Sequence, residues 1–186
     1  MSNVSTNWKT LSSKVLFKNK YFQLNEDKVL RPDGLTSMYY YRHRDPFSII
    51  IPIDKDEVYL VQQYRYNVKS LSWEFPMGYV EGKSPYDTAV IELKEETGMT
   101  AETIEEIGNY WQGVGSSGQL VYVYVATGLL QVKATPEDGE FLELKKIKIS
   151  DVGVMIKNGE ILDGQSIVAY HYLENYLTLR QAQGLK

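Results

Sequence analysis

The chain has 186 residues, of which 43% are hydrophobic and 24% charged, a composition typical of one folded globular domain. The formal net charge of −4 argues against a general affinity for nucleic acid. There is no cysteine, which excludes disulfides, thiolate metal sites and cysteine nucleophiles, and no apolar run resembles a signal peptide or a bilayer span. We therefore expect a cytoplasmic protein with neither a membrane nor a nucleic acid as its partner.

Strand-like segments dominate the first half of the chain. Residues 18–43 mix apolar and polar positions around a turn signal and predict extended strands. Residues 47–53 are mostly apolar and rich in isoleucine, the pattern of a strand buried on both faces, and residues 58–64 predict the next strand. Residues 73–79 also favour a strand, but a proline and a glycine interrupt its ladder. This irregular segment is expected to leave backbone carbonyls available for binding.

The clearest helix is predicted over residues 84–97. Ser84 suits the N-cap, Pro85 suits the first helical position, and Gly98 is a stop signal. A second helix is predicted over 165–183 from apolar residues at helical spacing. Further strand candidates are 103–107, 120–126 and 141–149. Many strands with one middle and one late helix indicate an α+β fold or a sheet sandwiched between helices.

The first helix has an apolar face and an acidic face. The residues predicted to pack on the sheet are Tyr86, Ala89, Val90 and Leu93. A neighbouring face carries Glu92, Glu95 and Glu96, three carboxylates that repel one another unless a cation compensates their charge. Such oxygen ligands favour Mg²⁺ or Mn²⁺ over zinc. A solvated acidic face paired with nearby bases is the alternative that spacing alone leaves open.

The sequence around this helix resembles the Nudix box, G-x5-E-x7-R-E-U-x-E-E-x-G-U, where U is a bulky aliphatic residue. The resembling segment is residues 78–98, GYVEGKSPYDTAVIELKEETG. Its second half matches the pattern, including the glutamates at 92, 95 and 96. Its first half is one residue shorter than the box, and Lys83 stands where a glutamate is expected. Ile91 replaces the box arginine.

Segments outside the box resemble the ADP-ribose pyrophosphatase branch of that family, which acts on nucleoside diphosphate sugars. They are residues 61–66, 73–78, the acidic loop 136–143 and the last helix start at 163–166. In such enzymes an N-terminal antiparallel sheet is typically shared across a homodimer and helps to form the nucleotide pocket. The resemblance implies a β extension over residues 1–45 and a Nudix domain over 46–186. The Nudix fold is an α/β/α sandwich with a mixed sheet.

The resemblance also implies a function, which is hydrolysis of the pyrophosphate bond of ADP-ribose or a nucleoside diphosphate sugar. The products are a nucleoside monophosphate and a sugar phosphate, and the expected metal is Mg²⁺, with Mn²⁺ possible. Carried over by position, the metal ligands are Glu92, Glu95, Glu96 and the Met77 carbonyl. Glu95 is expected to support a second metal or the attacking water. Glu140 of the acidic loop is expected to be the general base, with Glu137 as its rival.

The candidates for substrate binding are Arg65, Trp73, Glu74 and Trp111. Arg65 can form charge-assisted bonds to a phosphate, although a surface ion pair fits the sequence equally well. Trp111 is expected to lie in a glycine-rich loop, residues 109–118, where stacking on a base or sugar competes with simple packing. The alternative function is a non-catalytic Nudix domain that binds ADP-ribose-like ligands as a sensor. Ile91 and Lys83 favour that alternative, and the retained glutamates oppose it.

Overall fold

The computed structural model describes residues 6–133 and 141–184. The chain divides into two compact units. The first contains the residues up to Asp45 together with Trp111–Leu120, and the second contains Pro46–Tyr110 and the residues from Val121 onward. The division expected from sequence, 1–45 and 46–186, leaves the segment 111–120 in the second domain, whereas the structure groups this segment with the first unit. Contiguous sequence cannot reveal that assignment, because it depends on contacts between segments far apart in the chain.

Ten strands and three helices lie in the described part of the chain. The strands are β1 Lys9–Lys18, β2 Gln23–Leu30, β3 Thr36–His43, β4 Phe47–Asp54, β5 Glu57–Arg65, β6 Ser70–Glu74, β7 Met77–Tyr79, β8 Met99–Gly113, β9 Ser117–Gln131 and β10 Glu143–Lys148. The helices are α1 Pro85–Thr97, α2 Ile149–Asn158 and α3 Gly164–Ala182. None of these helices is long and apolar enough to cross a membrane.

β4 lies at the centre of the sheet of the second unit. It runs parallel to β9 and antiparallel to β5 and β7, so the sheet is mixed. Ile49 and Ile51 pack in a cluster with residues of α2 and α3, whereas Ile50 packs with residues of α1. All three isoleucines are fully buried, each worth about 1.5–3 kcal/mol of transfer free energy. The prediction of a strand buried on both faces within an α/β/α sandwich is confirmed.

α1 begins and ends where the sequence predicts. The Ser84 hydroxyl accepts a hydrogen bond from the Asp87 backbone N–H at 3.0 Å, and Gly98 ends the helix with a φ of 67°. Ala89 is buried as predicted, but Tyr86 is 47% exposed and lies edge-on to the ring of Tyr124. Tyr86 thus contacts the sheet as predicted, but only at the margin of the buried face. The buried face is rotated away from Tyr86 and includes Thr88, Glu96 and Thr97.

α2 is the helix that the sequence does not predict. Its N-cap, Lys148, makes no side-chain capping hydrogen bond, so the usual start signal is missing. The predicted strand over 141–149 is shorter in the structure, where β10 ends at Lys148 and the helix begins at once. The two strands of the β8 and β9 hairpin are longer than predicted, at 15 residues each.

In the first unit, β1, β2 and β3 form an antiparallel sheet. Every residue of β1 is exposed, and its pairing with β2 shifts register at two points. Sequence analysis starts this sheet near residue 18. The structure corrects that point, because β1 precedes residue 18 and pairs with β2 as the outer strand. The polar, irregular pattern of β1 explains why it is not recognised as a strand.

Candidate active site

The segment between β6 and β7 changes partner strands. β6 pairs with β5, whereas β7 pairs with β4, and the Pro76 carbonyl accepts a hydrogen bond from the Ile50 N–H at 3.0 Å. On the other side, the Phe75 N–H donates to the buried Ser166 hydroxyl at 3.1 Å. Ser166 lies in the first turn of α3, where its own N–H donates to the capping carboxylate of Asp163 at 2.7 Å.

Ser166 is therefore a positioning residue for the segment that carries Met77 and Gly78. Sequence analysis notes residues 163–166 as a helix start but assigns no role to Ser166. A capping signal predicts the helix, but it does not predict that the serine at N3 also receives a backbone hydrogen bond from a distant strand.

Two glutamates of α1 lie against β7. The Met77 N–H donates to Glu96 Oε2 at 3.3 Å. A β-carbon built on Gly78 would lie 1.8 Å from Glu92 Oε1, so any larger residue at this position would displace the Glu92 carboxylate. The two carboxylates are thus placed beside consecutive residues of the irregular strand. Residues from the start and from the later part of the segment 78–98 therefore lie side by side in the structure.

Glu96 is only 7% exposed, whereas Glu92 and Glu95 are half-buried. Glu96 therefore does not belong to the solvated acidic face that spacing alone left open, because α1 is rotated so that this residue faces β7. Within the described residues, no three or more side chains of the histidine, aspartate and glutamate types converge as a metal site by themselves.

The donors present nevertheless fit Mg²⁺. This ion is commonly held by one or two carboxylates, with water and substrate phosphates as the other ligands. Glu92, Glu96 and the backbone carbonyl of Met77 are all oxygen donors of the required kind.

Arg65 and Glu74, both predicted to bind substrate, bind each other. The Arg65 Nε donates to the two carboxylate oxygens of Glu74 at 2.8 and 3.1 Å, and a terminal nitrogen of Arg65 also donates to that carboxylate. The Glu74 side chain is 0% exposed, while that of Arg65 is 39% exposed. Hydrogen bonding to the Glu74 carboxylate raises the pKa of Arg65 against the opposing effect of burial, and the negative charges of Glu74, Asp163 and Glu96 raise it further. Arg65 therefore lies in a strongly acidic environment that includes a residue of the box.

The remaining candidates occupy different surroundings. Trp73 is buried in the core, with the ammonium of Lys145 5.4 Å from its ring centroid. Trp111, in the first unit, lies in β8 rather than in the predicted loop and is 54% exposed. Ile91 is half-buried and belongs to neither cluster of buried core residues. The two candidates for the general base, Glu137 and Glu140, lie outside the described residues.

Comparison with known proteins shows which family and which relatives the chain resembles. The NUDIX domain family matches residues 42–168, and the nucleoside diphosphate sugar hydrolase N-terminal domain matches residues 8–41. The methanol dehydrogenase activator of Bacillus methanolicus is 29% identical over 170 residues, which cover 89% of this chain and 92% of that protein. The ADP-ribose pyrophosphatase of Bacillus subtilis is 28% identical over 170 residues, with the same coverage of each chain.

A solved structure of an ADP compounds hydrolase has the same fold. It superposes with a TM-score of 0.86 at 18% identity, covering 96% of this chain and 98% of that one. Nudix enzymes in general use divalent metal ions, usually Mg²⁺. Since the family match spans more than half of the chain and contains the glutamates that meet β7, the chain belongs to the Nudix hydrolase family, in its ADP-ribose pyrophosphatase branch.

Proposed function

We propose that this Nudix hydrolase uses Mg²⁺ to cleave the pyrophosphate bond of ADP-ribose or a related nucleoside diphosphate sugar. The observation that carries the proposal is the convergence of Glu92 and Glu96 on β7, since two carboxylates beside the backbone of Met77 and Gly78 could serve as oxygen ligands. The match of residues 8–41 to an N-terminal domain of sugar nucleotide hydrolases supports the substrate class. The name of the Bacillus subtilis relative supports ADP-ribose as the first substrate to test.

When bound, Mg²⁺ would neutralise charge on the diphosphate and lower the pKa of a water molecule. Glu92, Glu96 and the Met77 carbonyl would hold the ion. The hydrogen bond from the Met77 N–H restrains one Glu96 oxygen, so this carboxylate is oriented before substrate arrives. The exposed part of the Arg65 guanidinium would face the negative charge of the diphosphate.

The chemical step would be the attack of water on one phosphorus atom. Glu140, or its rival Glu137, would accept the proton of that water, and Glu95 would orient it. The bond between the attacked phosphorus and the bridging oxygen breaks, and the bridging oxygen leaves with the other phosphate. Each product then carries one phosphate group, which accounts for a nucleoside monophosphate and a sugar phosphate.

We also propose that the protein is a homodimer that uses the sheet of the first unit. Leu11, Val15 and Phe17 of β1 are each at least half exposed, and β1 pairs only with β2 among the described strands. An outer strand with exposed apolar side chains promotes association unless it is covered. Light scattering is expected to show a dimer, and Leu11→Lys with Val15→Lys is expected to shift it toward the monomer. A wild-type monomer at micromolar concentration would contradict this proposal.

A cytoplasmic location stays a prediction.

The enzymatic proposal is tested with a panel of ADP-ribose and nucleoside diphosphate sugars, each with Mg²⁺ or Mn²⁺. We expect both phosphorylated products in equal amounts for at least one substrate. Glu102→Gln changes an exposed glutamate away from α1 and is the matched control for variants of Glu96. Saturable binding of ADP-ribose without turnover of any substrate would favour the sensor function instead.

A further inference from the structure

The first unit contains a cavity of about 270 Å³ that involves no residue of the box. Its walls are Asp27 of β2, Tyr39 and Tyr41 of β3, and residues 114 and 116–118 near the end of the β8 and β9 hairpin. A single water occupies about 30 Å³ of liquid. The cavity is therefore large enough for a small organic molecule.

Asp27 is the charged group of this cavity. In β2 the side chains of Asn25, Asp27 and Val29 alternate toward the buried side, and Asp27 lies opposite Tyr39 in the strand register. Asp27 is 9% exposed, and its Oδ1 is buried without a hydrogen-bond partner among the described residues. A carboxylate oxygen that is buried without a donor is unfavourable.

Tyr41 accounts for only part of the hydrogen bonding of this carboxylate. Burial, followed by the charge of Asp27 and a hydrogen bond to it, raises the pKa of Tyr41, so its phenol stays protonated and can act as a donor. Of the described residues that line the cavity, none is a lysine or an arginine. The carboxylate therefore lacks a compensating positive charge at the cavity, and a ligand can supply one.

The two tyrosines form aromatic walls beside the carboxylate. Their ring centroids are 6.3 Å apart with an interplanar angle of 48°, and the Tyr39 hydroxyl donates to the Gly115 carbonyl at 3.2 Å. The electron-rich faces of tyrosine rings attract cations, and the attraction increases when the cation is desolvated. A carboxylate with two tyrosines thus favours a positively charged ligand over a neutral one of the same size.

We propose that this cavity binds a small organic cation with a primary ammonium or guanidinium group. Asp27 is the counter-charge, and Tyr39 and Tyr41 are the aromatic walls. A small reorientation of the Asp27 carboxylate would bring an oxygen to the donor group of the ligand. The test uses neither nucleotide nor metal, so its outcome is separate from that of the hydrolytic proposal.

The test is calorimetric titration of the full chain with 1,4-diaminobutane, and with neutral 1,4-butanediol as a shape-matched probe at constant ionic strength. We expect the diamine to bind and the diol not to bind. Asp27→Asn is expected to weaken diamine binding by about 10- to 100-fold, because a hydrogen bond to a charged group is lost. Asp33→Asn changes an exposed carboxylate of the same unit and is expected to leave binding unchanged.

A second variant tests the cavity without changing its charge. Gly118 lines the cavity, and a β-carbon there would meet no atom within 4 Å, so Gly118→Phe is expected to fold and to block binding. The absence of saturable diamine binding at millimolar concentration in the wild type would overturn the proposal. Equal binding of the diol would overturn it as well, as would undiminished binding by Asp27→Asn or by a folded Gly118→Phe.

Discussion

Arg65→Met removes the guanidinium that neutralises the completely buried side chain of Glu74. The carboxylate must then stay charged in the interior or take up a proton. A free glutamate has a pKa of about 4.3, so holding its carboxyl protonated at pH 7 costs about 3.7 kcal/mol, at about 1.36 kcal/mol per pH unit. We expect the free energy of unfolding to fall by about 3–4 kcal/mol, within the range for breaking a buried ion pair.

Glu74→Gln is expected to be much milder. The amide keeps one acceptor for Arg65, and the guanidinium retains contact with water because its side chain is 39% exposed. The expected loss is about 1 kcal/mol, typical of one net hydrogen bond. The double variant should be more stable than Arg65→Met alone, because it contains no buried unpaired carboxylate. The loss in Arg65→Met should also shrink to about 1 kcal/mol at pH 5, where protonating a carboxyl is easier.

The measurement is urea unfolding of the four proteins at pH 5 and pH 7, followed by tryptophan fluorescence. Lys146→Met is the control, since it removes the partially exposed ion pairs with Asp54 and Glu57 and should change stability little. Two results would refute this explanation. One is that Arg65→Met lowers the free energy of unfolding by no more than Glu74→Gln does, and the other is that the loss in Arg65→Met is the same at pH 5 and pH 7.

Three further predictions concern the box. Glu96→Gln is expected to reduce turnover by about tenfold or more, as for the loss of a metal-site interaction, and steady-state assays should show no such loss in the Glu102→Gln control. Gly78→Ala is expected to displace the Glu92 carboxylate and to reduce turnover, and unchanged activity would show that Glu92 need not lie there. Ile91→Arg is expected to fold and to need less Mg²⁺ for half-maximal activity. A sharply lower melting temperature of Ile91→Arg would contradict the expectation that it folds, and an unchanged Mg²⁺ titration would contradict the expected lower Mg²⁺ requirement.

The elements that the sequence predicts well are those specified by local interactions. α1 has a serine cap, a proline at its first position and a glycine at its end, and each acts within one turn of the helix. β4 is recognised because its isoleucine-rich run leaves no polar face to place in water. These signals do not depend on distant segments, so they can be read before the tertiary structure is known.

The elements that sequence analysis misses lack such signals. α2 starts directly after β10 without a capping side chain, and β1 is an exposed strand whose apolar residues do not alternate regularly. The rotation of α1 is a related case. Helical periodicity identifies an apolar stripe, but the neighbouring strands decide that Glu96 is buried and Tyr86 is not.

The sequence by itself determined the family, the sandwich architecture and the three glutamates of one helix, because a long motif and strong local patterns carry that information. Only the tertiary structure decided that Glu92 and Glu96 meet β7 and that Arg65 is held by buried Glu74. It likewise decided that Asp27 lines a cavity with two tyrosines. The physical reason is that burial and pairing of charged groups depend on which distant segments pack together, and residue spacing along one strand or helix does not specify that packing.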